Sequence, residues 1–476
     1  MCDVKFAGRE RKIAMTTKSP NPRVSIPTVS ELLENPAIRA LADRWNRSVV
    51  AAGVRSFVDE LRDDLIRRGE AAKWPTFREL AERAAQHIVA TQQPSQRGAI
   101  NATGRIWGGR WVGRPQSETA LEHAFATGRE FVAGPEAVTS PPAAGDVESL
   151  IARMTGAPAA AAVHSYAGAI WLALSVVATG REVLVSRAEL GHAATDCSLE
   201  TIIKASGAKL REIGATNRSS AADYEARVSD ETAALFTVSP ESFCVVGETA
   251  APELEELVAL ARDRELVLID ALGTAPLVDL PLEMPGVRRS LQASLVAGAT
   301  LAIVRGDGLV GGPTCGIIAG DREIVSRIVS HPLFSAFRLD APRMAAIAET
   351  LSGIADGRAS DLRTPIAELL AIPIDNLRHR AERLAPQLLS ASGIRSAEAV
   401  PMVSQLDGVP ISQHTLPSYG VELSPTEGDA NGLANRLSDA PLPIFGRIEG
   451  ERLILDLRTV LPRHDASIVR ALIDHK

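Results

Sequence analysis

Residues 300–320 read T-L-A-I-V-R-G-D-G-L-V-G-G-P-T-C-G-I-I-A-G. The first apolar run, residues 301–304, is short enough for a buried strand, and a second run, residues 315–319, follows a turn rich in glycine. Such dense glycines allow the backbone to approach a neighbouring group closely, and they equally suit a tight hairpin between two core strands. This stretch alone leaves both interpretations open.

The same alternation of short apolar runs with helical patterns extends from residue 147 onward. It predicts an α/β fold with a mainly parallel, doubly wound sheet that helices cover on both faces. Ligands of such sheets bind beyond the carboxyl ends of the strands. The candidate strands are residues 159–163, 183–186, 209–213, 234–238, 266–270 and 301–304, and the helical patterns between them include residues 167–178 and 253–264.

Three of these strand ends carry candidate binding residues. Ser165 and Tyr166 open a helix, where free N–H groups and the helix dipole favour a phosphate, although Ser165 equally suits ordinary capping. Asp270 ends another run, and its carboxylate either pairs with a protonated pyridine nitrogen or caps the next turn. The third strand end is the glycine-rich stretch itself, from residue 305 to residue 308.

The amino-terminal part of the chain has helical patterns. Residues 26–95 combine capped helix starts with an amphipathic stripe and nearly balanced charge, which favours a packing or docking module over a nucleic-acid arm. Residues 1–25 are predicted to be a disordered tail. The loop 107–115 places glycines beside Arg110 and Arg114, a combination that suits an anion site or an irregular surface loop.

The composition is that of an ordinary globular protein. Of 476 residues, 45% are hydrophobic and 23% are charged, and the net charge is -7. An acidic balance gives no general attraction to nucleic acid, so we expect no DNA partner. No apolar run reaches membrane length, and the four scattered cysteines show no metal spacing and suit a reducing, cytoplasmic environment.

Lysine is rare and unevenly placed. Seven lysines stand among 51 basic residues, and none lies between Lys209 and Lys476. The glycine-rich stretch and all the chain around it therefore lack an amine side chain.

A series of short motifs, in a fixed order and spacing, carries a resemblance that covers nearly the whole chain. The motifs are P-T-V-S-E-L-L from Pro27, N-P-A-I from Asn35, I-N-A-T-G from Ile100, S-R-A-E-L from Ser186, S-G-A-K-L from Ser206, T-N-R from Thr216, D-Y-E-A from Asp223, G-D-x-L-x-G-G-P-x-x-G-I-I from Gly306, H-P-L from His331 and L-D-L-R-T-V-L-P from Leu455. In these motifs the chain resembles the bacterial L-seryl-tRNA(Sec) selenium transferase (selenocysteine synthase) family.

The resemblance implies a fold-type I architecture that uses pyridoxal 5′-phosphate (PLP), and the conversion of seryl-tRNA into selenocysteinyl-tRNA with selenophosphate. It implies that a helical module, residues 26–95, engages tRNA, that a large domain spans residues 96–345 and a small one residues 346–476, and that the chain forms a homo-oligomer, at least a dimer. It further implies that Ser165 and Tyr166 hold the cofactor phosphate, Asp270 the pyridine nitrogen, and Arg338 an anionic substrate group such as selenophosphate.

The chain departs from the family at the residue that matters most. In the family a lysine follows the aspartate of the G-D-K-L-x-G-G-P loop and holds the cofactor covalently, whereas here Gly308 occupies that position. Glycine offers neither an amine nor a base. Other family motifs are altered at residues 164–166, at residues 108–114, at Ser335 and after Asp270.

The sequence therefore leaves three functional hypotheses. The first is a PLP-dependent selenium transferase or a close enzymatic relative. The second, which the altered motifs favour, is a non-catalytic paralogue that binds tRNA, a small anion or a partner subunit. The third is a lysine-independent lyase with His164 or His192 as its base.

Overall fold

The computed structural model describes residues 26–68, 75–92, 97–107, 111–133, 146–194, 197–239, 243–280, 289–355, 364–405 and 415–473. The predicted tail, residues 1–25, lies outside these described residues. The chain divides into two compact units, Met1–Gly98 and Ala99–Lys476. The predicted small domain and all but residues 96–98 of the predicted large domain fall in the second unit, and the boundary between the two domains stays a prediction.

The first unit is helical throughout its described part. Thr28 and Glu31 form a reciprocal capping box at its first helix, and Asn35 caps the second, in agreement with the two predicted helix starts. Leu32, Ile38 and Ile88 are fully buried in a shared apolar core. The helices are α1 (Val29–Leu33), α2 (Pro36–Arg39), α3 (Leu41–Arg44), α4 (Arg47–Arg68) and α5 (Phe77–Gln92).

A seven-stranded sheet dominates the second unit, with strand order β2-β10-β9-β8-β7-β3-β6. β10 runs antiparallel to both of its neighbours, and the other strands are mutually parallel, so the prediction of a mainly parallel sheet is confirmed. The first strands of this unit are β1 (Ile100–Asn101), β2 (Ala159–Val163), β3 (Glu182–Ser186), β4 (His192–Ala194), β5 (Cys197–Ser198), β6 (Lys209–Ile213), β7 (Thr232–Val238), β8 (Val267–Gly273), β9 (Leu301–Arg305) and β10 (Gly316–Gly320).

Successive residues of the central strands enter apolar cores on opposite faces of the sheet, as the alternation of side chains along a strand requires. Phe236 and Ile269 pack on one face, and Leu235 and Leu268 on the other. Helices cover both faces. The helices in this part of the chain are α6 (Glu118–Gly128), α7 (Val147–Thr155), α8 (Tyr166–Val177), α9 (Leu199–Ala205), α10 (Ala221–Glu225), α11 (Leu254–Asp263), α12 (Leu291–Ala297), α13 (Arg322–Val329), α14 (Phe334–Phe337) and α15 (Ala341–Ala355).

The carboxyl-terminal part of the second unit builds a four-stranded antiparallel sheet of order β11-β12-β15-β14. β1, from the I-N-A-T-G motif, pairs in parallel with β13 near the other end of the chain. None of the described helices is long and apolar enough to span a membrane. The elements here are α16 (Pro365–Ala371), α17 (Ile374–Leu389), β11 (Ile394–Gln405), β12 (Thr415–Pro425), α18 (Ala430–Ser438), β13 (Ile444–Phe445), β14 (Arg447–Glu449), β15 (Arg452–Asp456) and α19 (Asp465–Ile473).

Candidate cofactor cleft

The three predicted strand ends meet at one edge of the large sheet. β2, β8 and β9 are parallel, so their carboxyl ends lie at the same edge. β10 is antiparallel to both of its neighbours, and its Gly316 lies opposite Arg305 of β9 on one side and Val163 of β2 on the other. A Cβ atom on Gly316 would lie 2.5 Å from the carbonyl oxygen of Ser165. The absence of a side chain there lets the start of α8 approach the glycine-rich loop.

Ser165 and Tyr166 are both engaged by the chain's own backbone. Ser165 is the N-cap of α8, and its hydroxyl oxygen accepts a hydrogen bond from the Gly168 N–H at 3.1 Å. Tyr166 is buried, and its hydroxyl oxygen accepts from the Gly273 N–H at 3.1 Å, which joins α8 to the end of β8. Their assignment to a cofactor phosphate stays a prediction.

Asp270 lies within β8 and is 1% exposed. Its Oδ2 accepts from Arg289 Nε at 2.9 Å and from the Ser294 hydroxyl at 2.7 Å. Ser294 belongs to α12, and Arg289 directly precedes Ser290, the N-cap of that helix. Sequence reasoning missed both partners. Ser290 before an apolar run signals a helix start, but nothing in the sequence shows that this helix faces Asp270.

Gly308 lies against the backbone that follows β8. A Cβ atom at this position would lie 2.6 Å from the Thr274 carbonyl oxygen and 2.7 Å from the Thr274 Cα. Separations below 3 Å essentially never occur at a real Cβ. The Leu309 N–H donates to the same carbonyl at 2.9 Å, which holds the two segments together. Position 308 therefore has no room for any side chain unless the backbone moves.

Asp307, the neighbour of Gly308, is the centre of a charged cluster. Arg305 donates to both carboxylate oxygens, at 3.0 and 3.2 Å, and Arg114 Nη1 donates to Oδ2 at 2.7 Å. Thr314 adds a further hydrogen bond at 3.3 Å. Burial raises the pKa of Asp307, but the hydrogen bond and charge of Arg305, together with the charge of Arg114, outweigh burial and hold the pKa below its ordinary value.

Arg114 belongs to the loop in which the sequence suggested an anion site. Residues 108–110 of that loop lie outside the described residues. The structure brings Arg114 to the glycine-rich loop, where Arg114 and Arg305 share the carboxylate of Asp307. The sequence signal for this contact was only the unusual pairing of glycines with arginine.

Arg338 lies at the same edge of the sheet, at the end of α14. Its backbone forms an isolated bridge with Val163, while its side chain is exposed. Burial raises the pKa of nearby Glu148, and the Arg338 charge acts in the opposite direction. The His164 ring packs edge-on against Phe337 at 5.4 Å, and its buried Nδ1 has no hydrogen-bond partner among the described residues. The anion-binding role of Arg338 stays a prediction.

The two described lysines lie away from this edge. Lys209 is the first residue of β6, which places it at the amino end of a parallel strand, and its amine pairs with Glu231 at 2.9 Å. Lys204 is on the surface of α9, where it pairs with Glu200. Gly308 follows the carboxyl end of β9, at the opposite edge of the sheet from Lys209. Neither amine can therefore stand in for a side chain at position 308.

These contacts test whether the cleft fits a covalently held PLP. The position that would supply the amine is glycine, and its space is closed by Thr274. The carboxylate that would face a ring nitrogen already has a guanidinium and a hydroxyl bound to it. The residues present do not fit a cofactor that is anchored through an imine at position 308.

Comparison with known proteins assigns the chain to a family. A family model described as "L-seryl-tRNA selenium transferase" matches residues 142–461, and one described as "Selenocysteine synthase N terminal" matches residues 25–62. The L-seryl-tRNA(Sec) selenium transferase of Hyphomonas neptunium (strain ATCC 15444) is 32% identical over 451 residues, which covers 94% of this chain and 97% of the relative. The enzyme of that name from Moorella thermoacetica is 32% identical over 453 residues, covering 94% and 96%.

Among solved structures, D-glucosaminate-6-phosphate ammonia-lyase aligns with 81% of this chain and 97% of its own, with a TM-score of 0.57 and 18% sequence identity. The fold is accordingly that of the fold-type I, PLP-dependent transferases, and this prediction is confirmed. The chain belongs to the L-seryl-tRNA selenium transferase family, which confirms the resemblance drawn from its motifs.

Proposed function

We propose that this chain is a non-catalytic member of its family, which keeps the transferase fold without the covalent cofactor chemistry. The observation that carries the proposal is the contact between Gly308 and the Thr274 backbone, because it excludes a side chain from the family's lysine position. Replacement of a lysine by glycine, with no other change, would leave an open space at position 308. Here the Thr274 backbone occupies that space.

The remaining cleft residues support the same function. Ser165, Tyr166 and Asp270 make hydrogen bonds within the chain itself. A ligand that binds the carboxylate of Asp270 must first break its existing bonds, so it gains little there. These hydrogen bonds therefore favour a structural role for the three residues over a role in catalytic turnover.

The ligand that we propose is tRNA. The relatives' names state that they act on L-seryl-tRNA(Sec), and the amino-terminal family model matches residues 25–62 of this chain. Exposed Arg338 supplies local attraction for a phosphate or another small anion. We propose a cytoplasmic homo-oligomer, at least a dimer, as the binding form.

The test uses the purified full chain beside a relative that carries the lysine. Each protein is mixed with PLP, treated with borohydride and analysed by absorbance and peptide mass, and each is assayed for tRNA binding by gel shift and for conversion of seryl-tRNA with selenophosphate. We expect the relative to form a reduced phosphopyridoxyl adduct and product. We expect this chain to shift tRNA without either.

Formation of selenocysteinyl-tRNA by this chain would refute the non-catalytic assignment, as would an adduct on one lysine at a one-to-one ratio. If the chain shifts no tRNA, the proposed ligand is refuted. The adduct measurement then still decides whether the chain is catalytic. The salt dependence of the gel shift provides a further control, since phosphate contacts weaken steeply with ionic strength.

A further inference from the structure

Asp270 is a buried carboxylate that requires a cation. A carboxylate removed from water is strongly destabilising unless a positive group and hydrogen-bond donors compensate its charge. At 1% exposure, Asp270 meets both needs at Oδ2, which accepts from the charged Arg289 Nε–H and from the Ser294 hydroxyl. A charge-assisted bond of 2.9 Å is within the short range that such pairs show.

The two donors are held in place by the chain. The N–H groups of Leu291 and Gln292, at the start of α12, donate to the carbonyls of Pro276 and Leu277, both at 2.9 Å. These carbonyls follow Thr274 closely along the chain. The helix that carries Ser294, with Arg289 directly before its cap, is therefore attached to the same segment that packs on Gly308.

A protonated pyridine ring would bring to Asp270 the same group that Arg289 already provides, a single cationic N–H donor. The charge of one carboxylate compensates one cation, so a second cation beside Asp270 would be repelled by the positive charge of Arg289. Ring binding to Asp270 therefore requires displacement of Arg289. The Arg289 side chain is 19% exposed, so it is partly accessible to solvent.

We propose that Arg289 is a built-in counter-ion for Asp270, which keeps the pyridine ring of PLP away from this carboxylate and keeps this edge of the sheet folded without a cofactor. Arg289 is thus a residue that determines ligand choice, in addition to the loss of the lysine. The inference deepens the proposed non-catalytic function and rests on it, since a chain that turned over PLP would need Asp270 for the ring.

The experiment measures non-covalent ring binding. The probe is pyridoxine 5′-phosphate, which has the ring and the phosphate but no aldehyde and so cannot react with surface lysines. Its binding to the full chain is followed by calorimetry and by the shift in Tm, for the wild type, Arg289→Gln and the double variant Asp270→Asn with Arg289→Gln. Arg264→Gln is the matched control, because Arg264 forms exposed ion pairs with Glu225 and Asp263.

We expect wild type and the Arg264→Gln protein to bind the probe equally weakly. Arg289→Gln should lower Tm by at least about 3 °C, since it removes a cation that is bonded to a buried carboxylate, and should bind the probe at least tenfold more tightly. The double variant should recover most of the lost Tm and lose the gain in binding, because it removes the carboxylate as well.

Equal probe affinity in wild type and Arg289→Gln would overturn the proposal, and so would a double variant that binds the probe as tightly as Arg289→Gln. If Arg289→Gln does not fold, a folded double variant supports the counter-ion role and an unfolded one contradicts it. These outcomes are distinct from those of the proposed function, whose non-catalytic assignment fails if an adduct or product forms and whose ligand fails if no tRNA is shifted.

Discussion

Arg114 Nη1 lies 2.7 Å from Asp307 Oδ2, although 193 residues separate them in the chain. Both side chains are nearly buried, and Arg305 shares the same carboxylate. The contact joins the glycine- and arginine-containing loop at residue 114 to the glycine-rich loop after β9. Asp307 of the G-D-x-L-x-G-G-P motif therefore holds the two loops together next to Gly308.

Replacement of Arg114 tests the contribution of this contact. Arg114→Ala should lower the free energy of unfolding by about 1–3 kcal/mol, because a buried charged acceptor loses one donor while Arg305 remains. Arg187→Ala is the control, since Arg187 pairs with Glu212 at the surface and should cost less than about 1 kcal/mol. Urea unfolding followed by circular dichroism gives both values. Equal losses in the two variants would contradict the buried role of Arg114.

The lowered pKa of Asp307 predicts the direction of a pH effect. Because the folded pKa lies below that of the unfolded chain, the carboxylate contributes stability above the ordinary pKa of about 4, and this contribution is lost as pH falls through the folded value. Asp307→Asn lacks this contribution at every pH. The difference in Tm between wild type and Asp307→Asn should therefore shrink from pH 6 to pH 3. A constant difference would exclude the linkage.

The closed position 308 predicts that even the smallest side chain is harmful. Gly308→Ala should cost about 1–3 kcal/mol by overpacking against Thr274, and Gly308→Lys should fail to form a borohydride-stable adduct with PLP. Gly353→Ala is the matched control. A Cβ at position 353 meets nothing within 4 Å, so within helix α15 alanine should stabilise by about 0.5–1 kcal/mol. An active Gly308→Lys protein would show that the loop opens readily.

Cys315, next to the glycine-rich turn, should be chemically inert in the folded protein. Burial, followed by the charge of Asp307, raises the pKa of its thiol to about 12, and the residue is 1% exposed. Since the thiolate is the reactive form, iodoacetamide at pH 8 should modify Cys315 only after denaturation. Peptide mass spectrometry measures this, with the partly exposed Cys197 and Cys244 as internal comparisons. Native modification of Cys315 would indicate that the loop opens.

Asp456 should be essential to the carboxyl-terminal sheet. It is fully buried and accepts hydrogen bonds from the hydroxyls of Ser404 and Ser418, from Arg447 and from the Arg458 N–H. Asp456→Asn replaces one acceptor oxygen by an NH2 group, so that a donor faces the donors of these residues. It should lower the free energy of unfolding by about 3–5 kcal/mol. Asp375→Asn, which alters an exposed pair with Arg378, should cost less than about 1 kcal/mol. Similar midpoints in urea for both variants would refute this.

The strands were largely predictable because their signal is local. A short apolar run such as residues 159–163 coincides with β2, and residues 209–213 with β6. The predicted run 266–270 ended three residues early, since β8 continues to Gly273. The continuation is supported by pairing with the neighbouring strands and by the bond from Gly273 to Tyr166, and neither is a property of the run itself.

The order of residues along the chain was enough to predict the α/β class and the family, and it showed glycine at position 308, where the resemblance predicts a lysine. The packing of the folded chain was needed to show that Thr274 closes the space at Gly308, that Arg289 contacts Asp270 and that Arg114 contacts Asp307. These contacts join segments that are distant in sequence, and their distances depend on how strands and helices pack, which local patterns do not encode.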